Sequence, residues 1–247
     1  MNFSPPFTDP RELIGQLQAR GYAVLTASAV AELAGLQLPA LEALQASWND
    51  LPPDAYLKDG GRYRRRRHSC VVAERGELSP VPHRAHWQPV EYNALHGGMQ
   101  RWFEPVAATT QEAQAWRQLM VALAAIASQL KGERRWFVEA HQFRIDTTDG
   151  IGRPTPEGAH RDGVDLVAVF MVARQGIKGG ETRVFDADGP AGQRFTLTEP
   201  WSVLLLDDER VVHETTPIQP TAPGGHRDTL VVTLRGGGFQ GDGMPAG

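Results

Sequence analysis

The sequence predicts an α+β chain, mainly β, in which helices lie in the N-terminal part and a barrel or double-sheet jelly roll follows. The first half has apolar residues at helical spacing, and the second half has short β-branched segments between Gly, Pro and Asp clusters. Many short strands at regular intervals are typical of a jelly roll. The 247 residues, 41% of them hydrophobic, are enough for one substantial core.

The first predicted helix has strong start and stop signals. Asp9 can cap it, Pro10 occupies the first helical position, and Glu12 follows in the first turn. Gly21 ends the helix. The residues that come next, 22–25, form a short strand candidate.

Two further helical segments are predicted before the strands begin. Residues of about 28–48 read as helical with an interruption at Pro39. A strongly amphipathic helix opens at Thr109 and closes at Gly132. Residues 1–132 are therefore expected to be helix-rich.

The second half contains strand candidates that are bounded by turn residues. They are residues 136–145, 165–172, 182–185, 203–206, 211–215 and 229–234. The β core is expected over 133–235, and the glycine-rich tail over 236–247 is expected to be mobile. Together these parts predict a single domain, 1–247.

The bulk composition argues against several classes of protein. A net charge of −4 gives no general attraction to nucleic acid or to anionic membranes. The apolar stretch 119–126 is too short to span a bilayer, and the N-terminus lacks a secretory pattern. Cys70 is the only cysteine, which rules out an internal disulfide. We expect a soluble cytoplasmic protein, with the oligomeric state left open and a homodimer among the alternatives.

A candidate metal site lies in His160-Arg161-Asp162 together with His213, which comes 51 positions after Asp162 (213 − 162). Residues two apart in an extended segment point to the same side, so His160 and Asp162 can share one metal. Two imidazoles and one carboxylate form the facial triad that holds non-haem Fe(II). The same donors with a water molecule could hold zinc.

A candidate anion site lies at the start of the last strand candidate. Arg227 comes 14 positions after His213 (227 − 213), and alternation places Arg227 and Thr229 on one face. A guanidinium can hold a carboxylate through two parallel hydrogen bonds. A lone arginine at the end of a strand is more often solvated than bound to a ligand. The spacing between His213 and Arg227 favours the anion-binding interpretation here. Arg227 also favours iron, because a hydrolytic zinc site has no general need for a buried cation.

This pattern resembles the Fe(II)/2-oxoglutarate-dependent dioxygenases. Three longer phrases are similar to the bacterial branch that contains free L-amino-acid hydroxylases, such as isoleucine 4-hydroxylase, and proteins linked to biofilm, stress and motility. The phrases are Glu157-Gly-Ala-His-Arg-Asp-Gly-Val-Asp165, Gly179-Gly-Glu-Thr-Arg-Val-Phe-Asp186 and His213-Glu-Thr-Thr-Pro217. The resemblance implies a double-stranded β-helix, cupin-like and flanked by helices, with iron at one mouth.

The resemblance also implies roles for individual residues. His160, Asp162 and His213 would bind Fe(II), and no catalytic residue beyond these ligands is implied. Arg227, helped by Thr229, would bind the distal carboxylate of 2-oxoglutarate. The reaction would consume O2 and release succinate and CO2, with ascorbate as the reductant in vitro.

The remaining pocket candidates come from strands and loops near these motifs. Gln142 and Arg144 share one face of a strand, and they would contact 2-oxoglutarate or a substrate carboxylate if that face points inward. A structural hydrogen-bonded pair is the alternative. Asp165 could bind a substrate ammonium group or serve a turn.

The run Arg62-Tyr63-Arg64-Arg65-Arg66-Arg67 is the most basic stretch. It is either a solvated loop or strand, or a segment that folds over the site with Tyr63 and Arg65 near an anionic substrate group. The other histidines of the first half are expected to be surface or packing residues. They are His68, His83, His86 and His96.

The resulting hypothesis is a dioxygenase that hydroxylates a small free substrate, an aliphatic L-amino acid, without nucleic-acid or membrane partners. One alternative is a hydroxylase of a peptide, a protein residue or a natural product, which a long exposed groove would favour. Another is a non-catalytic metal-binding or RNA-binding module that uses the arginine run.

Overall fold

A computed structural model describes residues 3–242 of the chain. The helices are α1 (Leu13–Arg20), α2 (Ala27–Leu33), α3 (Leu38–Glu42), α4 (Ala108–Glu112) and α5 (Gln114–Lys131), and 3-10 turns cover Pro10–Glu12 and Ala43–Asp50. The first strands are β1 (Tyr22–Leu25), β2 (Arg64–Glu74), β3 (Glu77–Pro80), β4 (Trp136–Asp146), β5 (Leu166–Gln175) and β6 (Ile177–Gly179). The later strands are β7 (Thr182–Asp186), β8 (Gly192–Phe195), β9 (Val203–Asp207), β10 (Val211–Thr215), β11 (Ile218–Pro220) and β12 (His226–Gly236).

The strands form antiparallel sheets that face each other. The large sheet has seven strands in the order β1-β9-β5-β12-β4-β2-β3. A smaller sheet has the order β10-β7-β8, and β11 pairs with β6. This is the double-stranded β-helix expected from the sequence.

Side chains alternate along the strands, so the large sheet has one face toward the helices and one face toward the small sheet. On β12, Leu230 and Val232 pack against the helices in the main core. Residues of the opposite parity on β5 and β9, such as Met171 and Leu204, pack against Val184 of the small sheet in a second core. The functional cavity opens on this second side, between the two sheets.

The first helix follows its sequence signals. The Asp9 side chain accepts a hydrogen bond from the Arg11 amide at 3.0 Å. Gly21 ends α1 with φ at 75°, a left-handed conformation that glycine adopts without strain. The strand predicted over 136–145 is β4 (Trp136–Asp146), and the strand predicted over 229–234 lies within β12 (His226–Gly236).

The N-terminal part departs from the helix-rich expectation, because β2 and β3 extend the large sheet. The predicted helix over 28–48 is divided before α3, and Pro39 lies in the first turn of α3, where its missing N–H costs no hydrogen bond. The helix predicted from Thr109 is divided at Ala113, whose ψ of 133° is extended.

The glycine content of residues 236–247 predicted a mobile tail. In the structure, residues 236–242 pack against the rest of the domain. Phe239 is buried and packs edge-to-face on Phe137, with 5.0 Å between the ring centroids. The Gln240 side chain donates hydrogen bonds to the carbonyl oxygens of Asp162 and Gly163. Residues 243–247 of the predicted tail lie outside the described residues.

Candidate active site

His160 and His213 are brought together by their own backbones. The His160 amide donates to the His213 carbonyl at 3.1 Å, and the His213 amide donates to the His160 carbonyl at 2.9 Å. His213 lies in the middle of β10, where it pairs with Val184 of β7. The bridge holds the two rings side by side, with 4.6 Å between their centroids.

Asp162 completes a three-ligand set. Its Oδ1 lies 4.0 Å from His160 Nε2, and its Oδ2 lies 3.9 Å from His213 Nε2. One donor atom from each residue lies within 4.8 Å of the others. Imidazole nitrogens and a carboxylate oxygen are suitable donors for Fe(II), and three protein ligands leave coordination sites open.

The hydrogen bonds around the two histidines leave the metal-facing nitrogens free. His160 Nδ1 lies 2.9 Å from the Gly158 carbonyl oxygen, which can only accept, so a neutral His160 carries its proton on Nδ1 and keeps the lone pair on Nε2. His213 Nδ1 is buried without a hydrogen-bond partner in the described part of the chain. Burial and the neighbouring His160 lower the pKa of His213 well below its usual value, which favours the neutral, metal-binding form.

Asp162 is held in place by groups that leave one carboxylate oxygen available. Gln88 Nε2 donates to Asp162 Oδ1 at 3.2 Å. The buried carboxylate of Asp208 accepts backbone hydrogen bonds from Asp162, Gly163 and Val164 at 3.0, 2.7 and 3.1 Å. Burial and the Asp162 charge raise the pKa of Asp208 to about 7, although these N–H groups oppose the shift. This turn fixes the segment that carries His160 and Asp162.

Arg227 supplies a buried positive charge near the start of β12. Arg227 is 3% exposed, and its Nε and Nη2 have no hydrogen-bond partner within residues 3–242. Burial and the nearby Arg174 lower the pKa of Arg227 to about 10, so it remains charged at neutral pH. An unpartnered buried charge is costly, so the site fits an anionic ligand. Thr229 lines the same cavity.

The cavity that joins these groups has a volume of about 130 Å³. Besides the metal candidates and Arg227, its wall contains charged residues that are buried. They are Arg64 and Arg66 of β2, Arg101, and Glu139 of β4, with His86 and His141 beside them. Val169 and Val231 add an apolar surface.

Gln142 and Arg144 do not reach this cavity, because their face of β4 points to the helical side. Gln142 Nε2 donates to Ser47 Oγ at 2.7 Å. Arg144 forms two hydrogen bonds to the carboxylate of Asp228, at 2.8 and 2.7 Å. The inward orientation on which their predicted binding roles depended is therefore wrong. Both residues form structural hydrogen bonds, but each bonds to another segment and not to the other residue.

The other predicted substrate residues also lie outside the cavity. Asp165 Oδ2 accepts from the Gly236 amide at 2.8 Å and fastens the end of β12. The Tyr63 hydroxyl donates to Asp59. Arg65 points to the opposite side of β2 from the cavity, where its side chain is 44% exposed near Asp146.

The arginine run is paired with carboxylates and does not form a free basic patch. Arg62 pairs with Asp149, Arg64 with Asp54, Arg65 with Asp146, and Arg67 with Asp50 and Glu104. This pairing removes the observation on which the RNA-binding alternative rested. The other histidines were expected to be surface or packing residues. His68 and His86 are buried, but they also form polar contacts with the carboxylate of Glu139.

Sequence reasoning missed the charged wall of the cavity. Alternation in β2 would have paired Arg64 with Arg66, and alternation in β4 would have paired Glu139 with His141. The available signal was a glutamate and a histidine two positions apart within one strand. Arg101 lies in an irregular segment, where no periodic pattern indicates its position.

Comparisons with known proteins agree with this geometry. The family model described as 2OG-Fe dioxygenase matches residues 45–233, and the chain belongs to this family. A crystal structure of a bsmA homolog from Methylobium petroleophilum PM1 is 52% identical, with 97% of this chain and 98% of that chain covered and a TM-score of 0.91. No curated protein sequence matches this chain.

More distant solved structures share the fold. IDO from Bacillus thuringiensis is 16% identical, covers 93% of this chain and 100% of its own, and has a TM-score of 0.75. The Fe(II)/(alpha)ketoglutarate-dependent dioxygenase TqaL is 20% identical, covers 94% of this chain and 89% of its own, and has a TM-score of 0.69. At these identities the likeness concerns the fold alone.

The protein is therefore an Fe(II)/2-oxoglutarate-dependent dioxygenase, an oxidoreductase with a His-x-Asp…His metal site. Fe(II) and 2-oxoglutarate are its cofactors, as the family implies. Within residues 3–242, the helices are too short or too polar to cross a membrane.

Proposed function

We propose that this dioxygenase hydroxylates a small free molecule, an aliphatic L-amino acid. In this proposal His160, Asp162 and His213 hold the iron, and Arg227 and Thr229 hold the distal carboxylate of 2-oxoglutarate. When bound, iron and 2-oxoglutarate use O2 to replace a C–H hydrogen of the substrate by hydroxyl, and succinate and CO2 are released.

The chain's own residues position the reactants and exclude water. The bond from His160 Nδ1 to Gly158 orients Nε2 toward the metal position. The unpartnered N–H groups of Arg227 can donate two parallel hydrogen bonds to a carboxylate. Val169 and Val231 give the cavity an apolar surface next to which an aliphatic side chain can lie.

The substrate assignment rests on one observation, a group of three buried arginines in the cavity wall. Among the described residues, Arg64, Arg66 and Arg101 each keep a buried nitrogen without a hydrogen-bond partner. Asp54 forms an ion pair with Arg64 at 2.6 Å and lies 3.9 Å from Arg66. The N–H groups that these guanidinium groups leave without a partner can donate to a carboxylate, so the wall favours a substrate that brings a carboxylate of its own.

A small substrate fits the cavity better than a peptide does. The cavity of about 130 Å³ lies between the two sheets, and its wall includes Phe239 and Gln240 from the C-terminal segment. Phe239 packs on the domain, and Gln240 bonds to the backbone of the metal-binding turn. This covering supports a free molecule over a long chain, which would need an open groove.

The proposal is tested by incubating the protein with Fe(II), ascorbate, 2-oxoglutarate and each of the proteinogenic L-amino acids. We expect succinate release that depends on an aliphatic amino acid, and a product heavier by one oxygen in mass spectrometry. Asp162→Ala serves as the inactive control. Iron-loaded protein that gives substrate-dependent succinate only with peptides, or with no member of the panel, would contradict the proposal.

A further inference from the structure

A second cluster of histidines and a glutamate lies in the wall of the cavity, apart from the iron ligands. We call it the histidine–glutamate cluster; it contains His68, His86, Glu139 and His141. All of these side chains are buried, and one donor atom from each lies within 4.8 Å of the others. The three imidazoles converge on Glu139 Oε2, at 3.2 Å for His68, 2.6 Å for His86 and 3.7 Å for His141.

The hydrogen bond between Arg66 and His141 argues against a metal in this cluster. Arg66 Nη2 lies 2.7 Å from His141 Nδ1, and a guanidinium can only donate. Nδ1 must therefore accept, and a neutral His141 carries its proton on Nε2, the atom that faces Glu139. That nitrogen has no lone pair left for a metal.

The distances to His68 and His86 fit N–H···O hydrogen bonds to the carboxylate. Burial lowers the pKa of His68 and His141, and it lowers the pKa of His86 to about 4, so the imidazoles are neutral near pH 7. Burial alone would raise the pKa of Glu139, but the contacts with His86 and His68 outweigh it and keep the pKa below its usual value. Neutral donors thus hold an ionised carboxylate and leave its charge uncancelled.

Glu139 lines the cavity and keeps one carboxylate oxygen free of hydrogen bonds from residues 3–242. The hydrogen bonds from His68 and His86 both go to Oε2, whereas Oε1 receives none from residues 3–242. Glu139 lines the same cavity as the iron candidates. A single imidazole, that of His141, lies between Glu139 and the guanidinium of Arg66.

We infer that Glu139 is a substrate-binding residue whose Oε1 accepts the ammonium group of the substrate, while His68, His86 and His141 are positioning residues. This inference rests on the proposed function and names the group that recognises one end of the zwitterion. A carboxylate recognising ammonium in a buried site discriminates strongly against an analogue without that group, because the carboxylate would be left unpaired.

The test is anaerobic titration calorimetry of the protein loaded with Fe(II) and 2-oxoglutarate. The probes are the proteinogenic L-amino acids, and for the tightest binder also its 2-hydroxy acid, in which hydroxyl replaces ammonium. We expect the wild type to bind the amino acid more than about tenfold more tightly than the hydroxy acid. Glu139→Gln keeps the size of the side chain and should lose about tenfold or more in amino-acid affinity, with little change for the hydroxy acid.

Glu77→Gln, an exposed residue of β3, is the matched control and should bind like the wild type. Equal affinities of the wild type for amino acid and hydroxy acid would overturn the role of Glu139 even if the variant does not fold. Unchanged amino-acid binding by Glu139→Gln, or a second tightly bound metal ion that is lost in His68→Ala, would also overturn it. Any of these results would leave the proposed function intact. A wild type that binds no amino acid would contradict both the proposed function and the role of Glu139.

Discussion

The backbones of His160 and His213 form an isolated antiparallel bridge, with N–H···O distances of 3.1 and 2.9 Å. These residues are distant in the sequence, yet backbone hydrogen bonds set their side chains next to each other. The turn held by Asp208 adds Asp162 to the same place. The site is therefore preorganised for a metal ion, and single ligands can be removed without dismantling it.

Replacing His213 should abolish tight iron retention. His213→Ala removes one of three protein ligands and should weaken Fe(II) binding by well over tenfold, which can be measured as iron per chain after gel filtration. His226→Ala is the control, since His226 lies at the outer end of β12 and bonds to Gly224. Equal iron content in His213→Ala and the wild type would contradict the assignment.

Replacing Arg227 should weaken the use of 2-oxoglutarate and leave iron binding intact. Charge-assisted hydrogen bonds contribute about 1.5–3 kcal/mol, so Arg227→Ala should raise the KM for 2-oxoglutarate by roughly 10- to 100-fold. The measurement is succinate release as a function of 2-oxoglutarate concentration at saturating iron. Arg135→Ala, which removes an exposed partner of Glu74, is the control. A KM like that of the wild type would refute the role of Arg227.

Arg144 should matter for stability and not for cofactor binding. Arg144→Ala leaves the buried Asp228 carboxylate without its ion-pair partner and should lower the free energy of unfolding by about 2–4 kcal/mol. Arg65→Ala, at the paired position on β2, removes an exposed side chain and should change it by less than about 0.5 kcal/mol. Urea denaturation separates the two. Equal stability of both variants would contradict the structural role.

The histidine–glutamate cluster should make the metal-free protein sensitive to acid. The pKa of His86 falls from an ordinary 6.5 to about 4 on folding, so the unfolded chain takes up the proton first. Stability is lost as pH falls from 6.5 toward 4, by about 3 kcal/mol for His86 in total. His68 and His141 act in the same direction, while His160 and Asp208, whose pKa values are raised, oppose them.

Urea denaturation of the metal-free protein at pH 7.5 and 5.5 measures this dependence. We expect a free energy of unfolding lower by about 1–3 kcal/mol at pH 5.5. His86→Gln keeps a side-chain N–H group and should flatten the difference, whereas His226→Ala should not. The same pH dependence in His86→Gln as in the wild type would show that His86 does not resist protonation in the folded protein.

The sequence alone predicts which residues share one face of an extended segment, because side chains alternate along it. It placed His160 with Asp162 and Arg227 with Thr229, and the structure brings both pairs to one cavity. Alternation says which residues share a face, but it does not say which face is inward. On β4, alternation alone therefore does not distinguish the face of Gln142 and Arg144 from the face of Glu139 and His141, which lines the cavity.

The missing part of the site depends on contacts that have no local signature. His86 and Arg101 exchange backbone hydrogen bonds at 2.9 and 3.0 Å across an irregular segment. The bond between Arg66 and His141 depends on how β2 pairs with β4. Such contacts follow from strand order and loop packing, which a periodic pattern does not encode.

The most direct test of the site is an anaerobic crystal structure of the protein with Fe(II) and 2-oxoglutarate, with anomalous diffraction at the iron absorption edge. We predict an iron peak between His160 Nε2, the Asp162 carboxylate and His213 Nε2, and the distal carboxylate of 2-oxoglutarate on the guanidinium of Arg227. An iron peak in the histidine–glutamate cluster, or a cofactor carboxylate away from Arg227, would contradict the assignment.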